Sequence, residues 1–347
     1  MLLRNILHSL LGKRSAATGP LTADGLLASD LWVDQPDALR KLDGRLRKGE
    51  VTAEQAERLR LFVERGYMVF PSGLPEAVCA GIQADVDRAW REKPWDLAFA
   101  RTGPMRPLAI LANIDETQER LPSYRIADLH SWSEPALAAY LLKPVFEHVE
   151  LILGEPAVAT QSLFFEYGSQ QALHRDPVFV PTTPPSHLLA AWIALEDILP
   201  GCGPLVYVPG SHRLPYYQFE PGEYRFDHSR YGEKESAAMA EHDRQQTAAR
   251  GLTTEPLLCK RGDVLIWHSS LLHGGAAVEN PALTRKSFVV HFNSRADHKL
   301  RRQRIAESVP TGDGGMAERT RIFETETVLV RDGCHGFDNP LRGYRPD

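Results

Sequence analysis

Two side chains of types that bind metal ions stand two positions apart in residues 171–177, whose sequence is Gln-Ala-Leu-His-Arg-Asp-Pro. On a β-strand, residues i and i+2 project from the same face about 6 to 7 Å apart, so His174 and Asp176 could contact one ion. Strand-like composition surrounds the pair, because an aromatic run at 162–167 precedes it and Val-Phe-Val at 178–180 follows it. We therefore predict that His174 and Asp176 bind a metal ion from one strand.

A third ligand has to come from another part of the chain, and His273, in the sequence Leu-Leu-His-Gly-Gly, is the candidate. Two histidines and one carboxylate form the facial triad of non-haem Fe(II) oxygenases. Such a triad leaves the opposite positions of the ion open for O₂ and a co-substrate. Arg285 follows His273 twelve residues later in the sequence.

The His-x-acid spacing is weak evidence by itself. With 13 His and 45 acidic residues, such a pair should arise by chance about once or twice. His148 and Glu150 have the same spacing, but apolar residues recur at helical intervals through 144–153. Residues i and i+2 of a helix do not face each other, so we interpret this pair as part of a solvated helix face.

Composition favours small-molecule chemistry. The chain has 347 residues and is 43% hydrophobic, which is enough for a substantial core. Forty basic and 45 acidic residues give a formal charge of −5, so no global field attracts nucleic acid or an anionic membrane. The four cysteines form no Cys-x-x-Cys motif, which predicts reduced thiols and a cytoplasmic location: Cys79, Cys202, Cys259 and Cys334.

The amino terminus begins like a signal peptide, but polar residues at positions 5, 8 and 9 interrupt its apolar run. Apolar residues between positions 3 and 11 form a helical stripe, which predicts a helix that docks on the protein or lies on a membrane surface. No segment approaches the ~20 apolar residues that a membrane-spanning helix needs.

Helices dominate the first half of the predicted structure. Thr52 and Gln55 have the spacing of a capping box, which predicts a helix from there to about residue 65. Other helices are predicted at 37–48, at 74–90, and as a pair between 133 and 153 that divides at Lys143-Pro144. A short strand is predicted at 66–71, and 94–122 is predicted to be loop with short strands.

The second half is predicted to be rich in β-structure. Short aliphatic and aromatic runs alternate with Gly/Pro turns, at 159–167, 178–180, 188–195, 205–208, 256–258, 264–267 and 287–293. This pattern predicts a jelly-roll sandwich or barrel that the helices of the first half cover, a mixed α+β fold. The polar segment 220–251, with a helix at 233–250, is predicted to be a lid or substrate loop.

Four segments together resemble the phytanoyl-CoA dioxygenase (PhyH) family of Fe(II)/2-oxoglutarate-dependent oxygenases. They are residues 174–176, 191–197, 203–212 and 260–268, followed by His273 and Arg285, and the resemblance extends over about residues 56–294. It implies a double-stranded β-helix fold. We expect an N-terminal extension at 1–50, a dioxygenase domain at 51–295, and a C-terminal extension at 296–347 that packs on the same domain. Within the domain we expect a helical layer at 51–155, a jelly-roll core at 156–295 and the lid insertion at 220–251.

The resemblance also assigns roles to single residues. His174, Asp176 and His273 match the iron ligands of the family, and Arg285 matches the arginine that binds the distal carboxylate of 2-oxoglutarate. A guanidinium offers a planar donor fork that suits this carboxylate. Trp192 matches an aromatic residue near the co-substrate, with a role in the core as the alternative.

Three further features are interpreted more modestly. The third ligand of the family is the histidine that precedes a glycine, so His268 is interpreted as a wall of the site rather than a ligand. His212 ends a Pro-Gly-Ser-His turn whose role we expect to be structural. The basic run 298–304 is interpreted as a solvated helix face, with a phosphate-binding patch as the alternative.

The resemblance implies that O₂ and 2-oxoglutarate are converted to succinate and CO₂ while a small-molecule substrate is hydroxylated, with ascorbate as a helpful addition in vitro. Related halogenases have a small residue in place of the carboxylate, so Asp176 favours hydroxylation. One alternative is a non-catalytic jelly-roll protein that binds a metal or small ligand, and another is a hydrolase with zinc at the same triad. The substrate and the oligomeric state stay open.

Overall fold

The computed structural model describes residues 21–101, 108–120, 124–310 and 316–345. The predicted amphipathic stretch between positions 3 and 11 lies outside these residues. Among the helices of the described part, none combines the length and apolar character that crossing a bilayer requires. All four cysteines are free thiols.

The predicted helices of the first half are confirmed, with ends set by local side-chain chemistry. Thr52 Oγ1 accepts a hydrogen bond from the Gln55 backbone N–H, and Gln55 Oε1 accepts one from the Thr52 N–H. The helix that this capping box opens ends at Gly66, whose φ of 82° suits a glycine. The helices are α1 (Ala38–Arg47), α2 (Ala53–Arg65), α3 (Glu76–Glu92), α4 (Glu116–Glu119), α5 (Glu134–Tyr140), α6 (Lys143–Leu153), α7 (Asp176–Phe179) and α8 (Glu233–Ala249).

The prediction for His148 is half right. His148 lies in α6, where it cannot chelate an ion together with Glu150, but its side chain is only 3% exposed. Its ring packs edge-on against Phe70 at 4.4 Å between centroids, and its Nδ1 donates to the Pro144 carbonyl at 2.8 Å. The interpretation as a solvated face is therefore wrong, because the imidazole is buried in the core against an aromatic ring, with one hydrogen bond to a backbone carbonyl.

Two sheets of unequal size form the β-structure. The strands are β1 (Tyr67–Phe70), β2 (Ala98–Arg101), β3 (Leu108–Ile110), β4 (Tyr124–Ala127), β5 (Ala157–Phe165), β6 (Leu189–Ala194), β7 (Leu205–Tyr207), β8 (Glu255–Pro256), β9 (Val264–His268), β10 (His273–Gly275), β11 (Ser287–Ser294), β12 (Arg301–Pro310), β13 (Met316–Thr325), β14 (Val328–Arg331) and β15 (Cys334–Phe337). The large sheet has the order β1-β9-β6-β11-β5-β4-β2-β3-β12-β13, with β15 also on β5 and β14 on β15. The small sheet has the order β10-β7-β8.

Strand alternation sorts the side chains of the large sheet into two buried faces. On β6, Ile193 packs with the helices, whereas Trp192 packs with side chains of the small sheet such as Tyr207. On β11, Phe288 and Val289 divide in the same way. We call the side toward the small sheet the inner face and the other side the helical face. The space above the inner face is where strands from both sheets can present polar groups to a ligand.

Three secondary-structure predictions are wrong. Residues 178–180 lie in or directly after the short helix α7, because Pro177 stands in a first helical turn, where proline is favoured. The predicted strand at 256–258 is limited to β8, which ends at Pro256. The basic run 298–304 enters strand β12 instead of a helix, and the strand alternation is visible because Gln303 and Ile305 are buried while Arg302 and Arg304 are exposed.

His268 lies on the helical face, so the interpretation as a wall of the site is wrong. Its Nε2 lies 3.2 Å from Asp34 Oδ1, in the short turn Trp32–Asp34 near the start of the described chain. Burial alone would raise the pKa of Asp34, but the charge and hydrogen bond of His268 lower this pKa to about 2. His212 packs beside His268 at 5.3 Å between ring centroids, which fits a structural role. The pair between Asp34 and His268 thus attaches the N-terminal segment to strand β9 of the large sheet.

Asp34→Asn should lower the free energy of unfolding at pH 7 by about 1–3 kcal/mol, because buried His268 loses its charged partner. Equilibrium unfolding in urea measures this change. Asp37→Asn is the control, since its pairs with Arg40 and Lys41 are exposed and its effect should stay within about 0.5 kcal/mol. Equal effects of the two variants would contradict the assignment.

The same pair has a defined pH dependence. The pKa of folded Asp34 is about 2, below the ordinary value of 3.8. A lowered carboxyl pKa contributes stability that is present above 3.8 and disappears as the pH falls through about 2. The difference in free energy of unfolding between the wild type and Asp34→Asn, measured by urea titration at several pH values, should therefore shrink as the pH falls from 3.8 toward 2.

Candidate metal centre

A backbone bridge brings the two candidate histidines together. The His174 N–H donates to the His273 carbonyl at 2.9 Å, and the His273 N–H donates to the His174 carbonyl at 3.0 Å. His174 lies in the loop after β5, and His273 is the first residue of β10 in the small sheet. The bridge therefore joins the loop that follows β5 of the large sheet to β10 at the edge of the small sheet.

Asp176 reaches the same point by a different route from the one predicted. It opens α7 instead of continuing a strand, so the predicted strand geometry is wrong for this residue. The Asp176 N–H donates to the Ser269 carbonyl at 3.2 Å, which fixes the start of the helix beside the segment that leads to His273. The carboxylate is thereby directed toward both histidines.

The three side chains present their donor atoms to one point. Asp176 Oδ1 lies 3.5 Å from His273 Nε2 and 3.9 Å from His174 Nε2. The three donor atoms all lie within 4.8 Å of one another. Ligands bound about 2.1 Å from one ion have donor atoms roughly 3–3.5 Å apart, so a small contraction would place all three on a metal.

Each histidine is held in the tautomer that a metal needs. The Nδ1 of His174 lies 2.9 Å from the Ala172 carbonyl, and that of His273 lies 3.0 Å from the Leu271 carbonyl. A carbonyl oxygen can only accept a hydrogen bond, so each Nδ1 carries the ring proton and each Nε2 keeps a lone pair. Both lone pairs belong to the nitrogens that face Asp176.

The charges of the group also suit a cation. Burial and the neighbouring His273 lower the pKa of His174 to about 4, so its ring is neutral near pH 7. Burial alone would raise the pKa of Asp176, but the surrounding histidines and a hydrogen bond from Trp267 hold this pKa below its ordinary value. Trp267 Nε1 donates to Asp176 Oδ2 at 2.9 Å, which leaves Oδ1 for an ion. The residues present therefore fit a divalent metal.

Arg285 lies just before β11 with its side chain almost completely buried, and the residue is 2% exposed. Its Nη1 donates to Ser287 Oγ at 2.5 Å, and its guanidinium lies 5.5 Å from the centroid of Phe165 and 5.6 Å from that of Trp192. Burial lowers the pKa of Arg285 to about 10, which keeps the group charged at pH 7. No carboxylate of the described chain forms an ion pair with it, so this buried cation favours an anionic ligand.

Trp192 lies on the inner face of β6, beside Arg285 and inside the apolar core. Its indole nitrogen has no hydrogen-bond partner among the described residues. Both predicted roles, neighbour of the co-substrate and core residue, are compatible with this position.

Sequence reasoning missed several polar groups on the inner face. Arg125 of β4 lies opposite Phe165 of β5 in the sheet. Within the described residues, the side chain of Arg125 makes no hydrogen bond and no ion pair. Burial lowers its pKa. On β11, His291 is buried with a free Nδ1, and Asn293 is buried with both polar side-chain atoms unpaired in the described chain. The signal was present, since polar residues at 287, 291 and 293 alternate with apolar ones.

Arg175, between the two candidate ligands, connects the site to the insertion. Its Nη2 donates to Asp243 Oδ1 of α8 at 2.9 Å, and its Nη1 donates to the Leu214 carbonyl at 2.9 Å. The Arg175 side chain is 1% exposed and its guanidinium lies 4.5 Å from the ring centroid of Tyr216. The predicted helix at 233–250 is confirmed as α8. Its buried Asp243 holds Arg175, and thereby the loop that carries His174 and Asp176, in place.

Comparison with known proteins identifies relatives. The family model described as Phytanoyl-CoA dioxygenase (PhyH) matches residues 62–287. The peroxisomal phytanoyl-CoA dioxygenase of Bos taurus is 24% identical over 259 residues, which cover 70% of this chain and 70% of that protein.

Solved structures resemble the chain as well. The non-heme alpha ketoglutarate dependent carbocyclase SnoK from nogalamycin biosynthesis has a TM-score of 0.51 and 19% identity, over 71% of this chain and 85% of its own. This likeness confirms the predicted double-stranded β-helix fold. The epimerase SnoN, in complex with Fe3+, alpha ketoglutarate and nogalamycin RO, has a TM-score of 0.47 and 19% identity, over 75% of this chain and 85% of its own.

Trp267→Phe should weaken Fe(II) binding by about tenfold, because removing the indole N–H frees Asp176 Oδ2 and loosens the carboxylate. Calorimetric titration of the apoprotein under argon measures this affinity. Trp192→Phe is the matched control, since it changes the same side chain on the same face without removing a hydrogen bond, and should leave the affinity within about twofold. Equal affinities of the two variants would show that Trp267 does not position the carboxylate.

Proposed function

The chain belongs to the phytanoyl-CoA dioxygenase family, and we propose that it is an Fe(II)- and 2-oxoglutarate-dependent oxygenase that hydroxylates a small organic substrate. The observation that carries the proposal is the convergence of His174 Nε2, Asp176 Oδ1 and His273 Nε2 on one point. In the proposed reaction, O₂ supplies one oxygen atom to succinate and one to the hydroxylated product, and 2-oxoglutarate also releases CO₂.

The three ligands would hold iron from one side and leave the opposite positions open. Iron bound there would supply the activation of O₂. The chain supplies two neutral imidazoles and one carboxylate, so an Fe(II) ion would keep one net positive charge, which favours an anionic co-substrate. The burial of Asp176 and His273 keeps bulk water from the metal, which strengthens these electrostatic interactions.

Arg285 is the proposed anchor for the distal carboxylate of 2-oxoglutarate. Ser287 fixes one end of its guanidinium, and Phe165 and Trp192 lie within cation–π distance of it. The Nε of Arg285 has no partner within the described chain. A carboxylate that accepted hydrogen bonds from the free edge of this fork would compensate a charge that burial otherwise makes costly.

This demand for an anion also weighs against the two alternatives. A jelly-roll protein that only binds a metal has no use for a buried and unpaired arginine on the inner face. A zinc hydrolase needs the metal and water but not a keto acid or O₂. Hydroxylation is preferred over halogenation because the carboxylate of Asp176 takes the position that a halide would need.

The same inner face supports a substrate class. Arg125 is a second cation with no partner in the described residues, while His291 and Asn293 add unpaired donors and acceptors. Such groups are satisfied when a ligand brings complementary atoms. We therefore expect a polar substrate that carries a carboxylate or another anionic group, bound through Arg125.

Succinate release from 2-oxoglutarate, with Fe(II), ascorbate and O₂, tests the proposal in the presence and absence of candidate substrates. Asp176→Ala should reduce both iron binding and succinate release to background, because the triad loses its only anionic ligand. Glu150→Ala is the matched control, since Glu150 has the same spacing from a histidine but lies on α6, and should retain activity. Turnover without O₂, or no binding of 2-oxoglutarate to the iron-loaded protein, would favour an alternative.

Substitutions of the two inner-face arginines should have different effects on the two organic ligands. Arg285→Gln should raise the KM for 2-oxoglutarate by about 10- to 100-fold, which corresponds to the loss of a charge-assisted hydrogen bond of about 1.5–3 kcal/mol. Arg125→Gln should leave this KM within about threefold and should reduce only the extra succinate release that a substrate stimulates. Steady-state succinate assays measure both quantities. The reverse pattern would exchange the two assignments.

A further inference from the structure

A second cluster of potential ligands lies outside the site described above, where three neighbouring strands of the large sheet have their ends. Glu155 stands just before β5, His187 stands just before β6, and Asp297 follows the end of β11. β11 pairs with both β5 and β6, so the three residues meet at one end of adjacent strands. None of them takes part in the proposed oxygenase reaction.

The spacing of this cluster resembles that of the first site. His187 Nδ1 lies 3.4 Å from Glu155 Oε1 and 3.5 Å from Asp297 Oδ2. The three donor atoms lie within 4.8 Å of one another, as in the group of His174, Asp176 and His273. One imidazole and two carboxylates therefore face a common point.

The His187 ring provides an independent indication of a ligand. Its side chain is 8% exposed, and its Nδ1 is buried without a hydrogen-bond partner in the described chain. Its Nε2 lies 2.9 Å from Asp30 Oδ1. If Nδ1 carried a proton, we would expect it to donate to one of the two carboxylates at about 2.8 Å, which is shorter than either observed distance.

The arrangement is instead that of a histidine oriented for metal binding. Asp30 accepts a hydrogen bond from the Nε2–H of His187, which leaves the lone pair of the ring on Nδ1. A carboxylate behind a metal-binding histidine commonly fixes the tautomer in this way. The lone pair then faces two negative oxygens. Without a cation between them, these three groups repel one another.

We propose that Glu155, His187 and Asp297 bind a second divalent transition-metal ion, such as Zn²⁺ or Mn²⁺, that fastens the ends of β5, β6 and β11 together. An imidazole with two carboxylates suits these ions, whereas Ca²⁺ prefers oxygen ligands alone. The side chains of Glu155 and Asp297 are 33% and 37% exposed, so water can complete the coordination. The proposal is independent of the oxygenase reaction.

Counting bound metal in a variant that lacks the first site tests the proposal. The full chain with His174→Ala and Asp176→Ala is stripped with a chelator and dialysed against Zn²⁺, and its metal is measured by elemental analysis. This double variant should retain about one equivalent, and adding His187→Ala should remove it. Zn²⁺ should also raise the Tm of the double variant but not that of the triple variant.

Milder substitutions keep the test valid if His187→Ala does not fold. Glu155→Gln and Asp297→Asn preserve the side-chain size, and each should weaken Zn²⁺ binding by more than about tenfold in the double-variant background. Asp30→Asn, which touches only the far side of the ring, should weaken it by about tenfold. Circular dichroism verifies that each variant is folded.

Two outcomes would overturn the proposal. If the double variant binds no Zn²⁺, the cluster is an ion-pair network only. If its equivalent of Zn²⁺ persists after His187→Ala and after Glu155→Gln, the metal binds elsewhere.

Discussion

The candidate site depends on the two backbone hydrogen bonds between His174 and His273. They join the loop after β5 of the large sheet to β10 of the small sheet. Because backbone groups make them, the approach of the two imidazoles is set before any side chain chooses a rotamer. The donor atoms can therefore converge only when the two sheets face each other. The contact between the two sheets is therefore also what brings the candidate metal ligands together.

Buried arginines show how the chain separates structural charge from functional charge. Arg175 is compensated inside the protein, by Asp243 and by the Leu214 carbonyl. Arg285 is buried and Arg125 is partly buried on the inner face, and the described residues give neither of them a carboxylate partner. A folded protein tolerates such unpaired cations where a ligand completes them. The two arginines without a carboxylate partner both lie on the inner face of the large sheet, so we expect anionic ligands to bind on that face.

The sequence predicted what local chemistry decides. The capping box at Thr52 and the division at Pro144 placed helices correctly. The group of His174, Asp176 and His273 is a tertiary contact, and it was predicted from the order of motifs in the family resemblance and not from local chemistry. Prediction from local sequence failed where other tertiary contacts decide. His148 was taken for a surface residue because residue type alone does not reveal the ring of Phe70.

The same limit explains the residues that sequence reasoning did not find. Trp267 holds Asp176 from a distant strand, and Arg125 lies between the predicted loop at 94–122 and the helices predicted from 133, where no element was predicted. The link between Arg175 and Asp243 has a consequence for protein engineering. A chimera that takes residues 220–251 from a relative must retain an acidic residue at the position of Asp243. Without it, Arg175, which stands between His174 and Asp176, loses its ion-pair partner. Replacing residues 220–251 and preserving the candidate metal site are therefore one design problem.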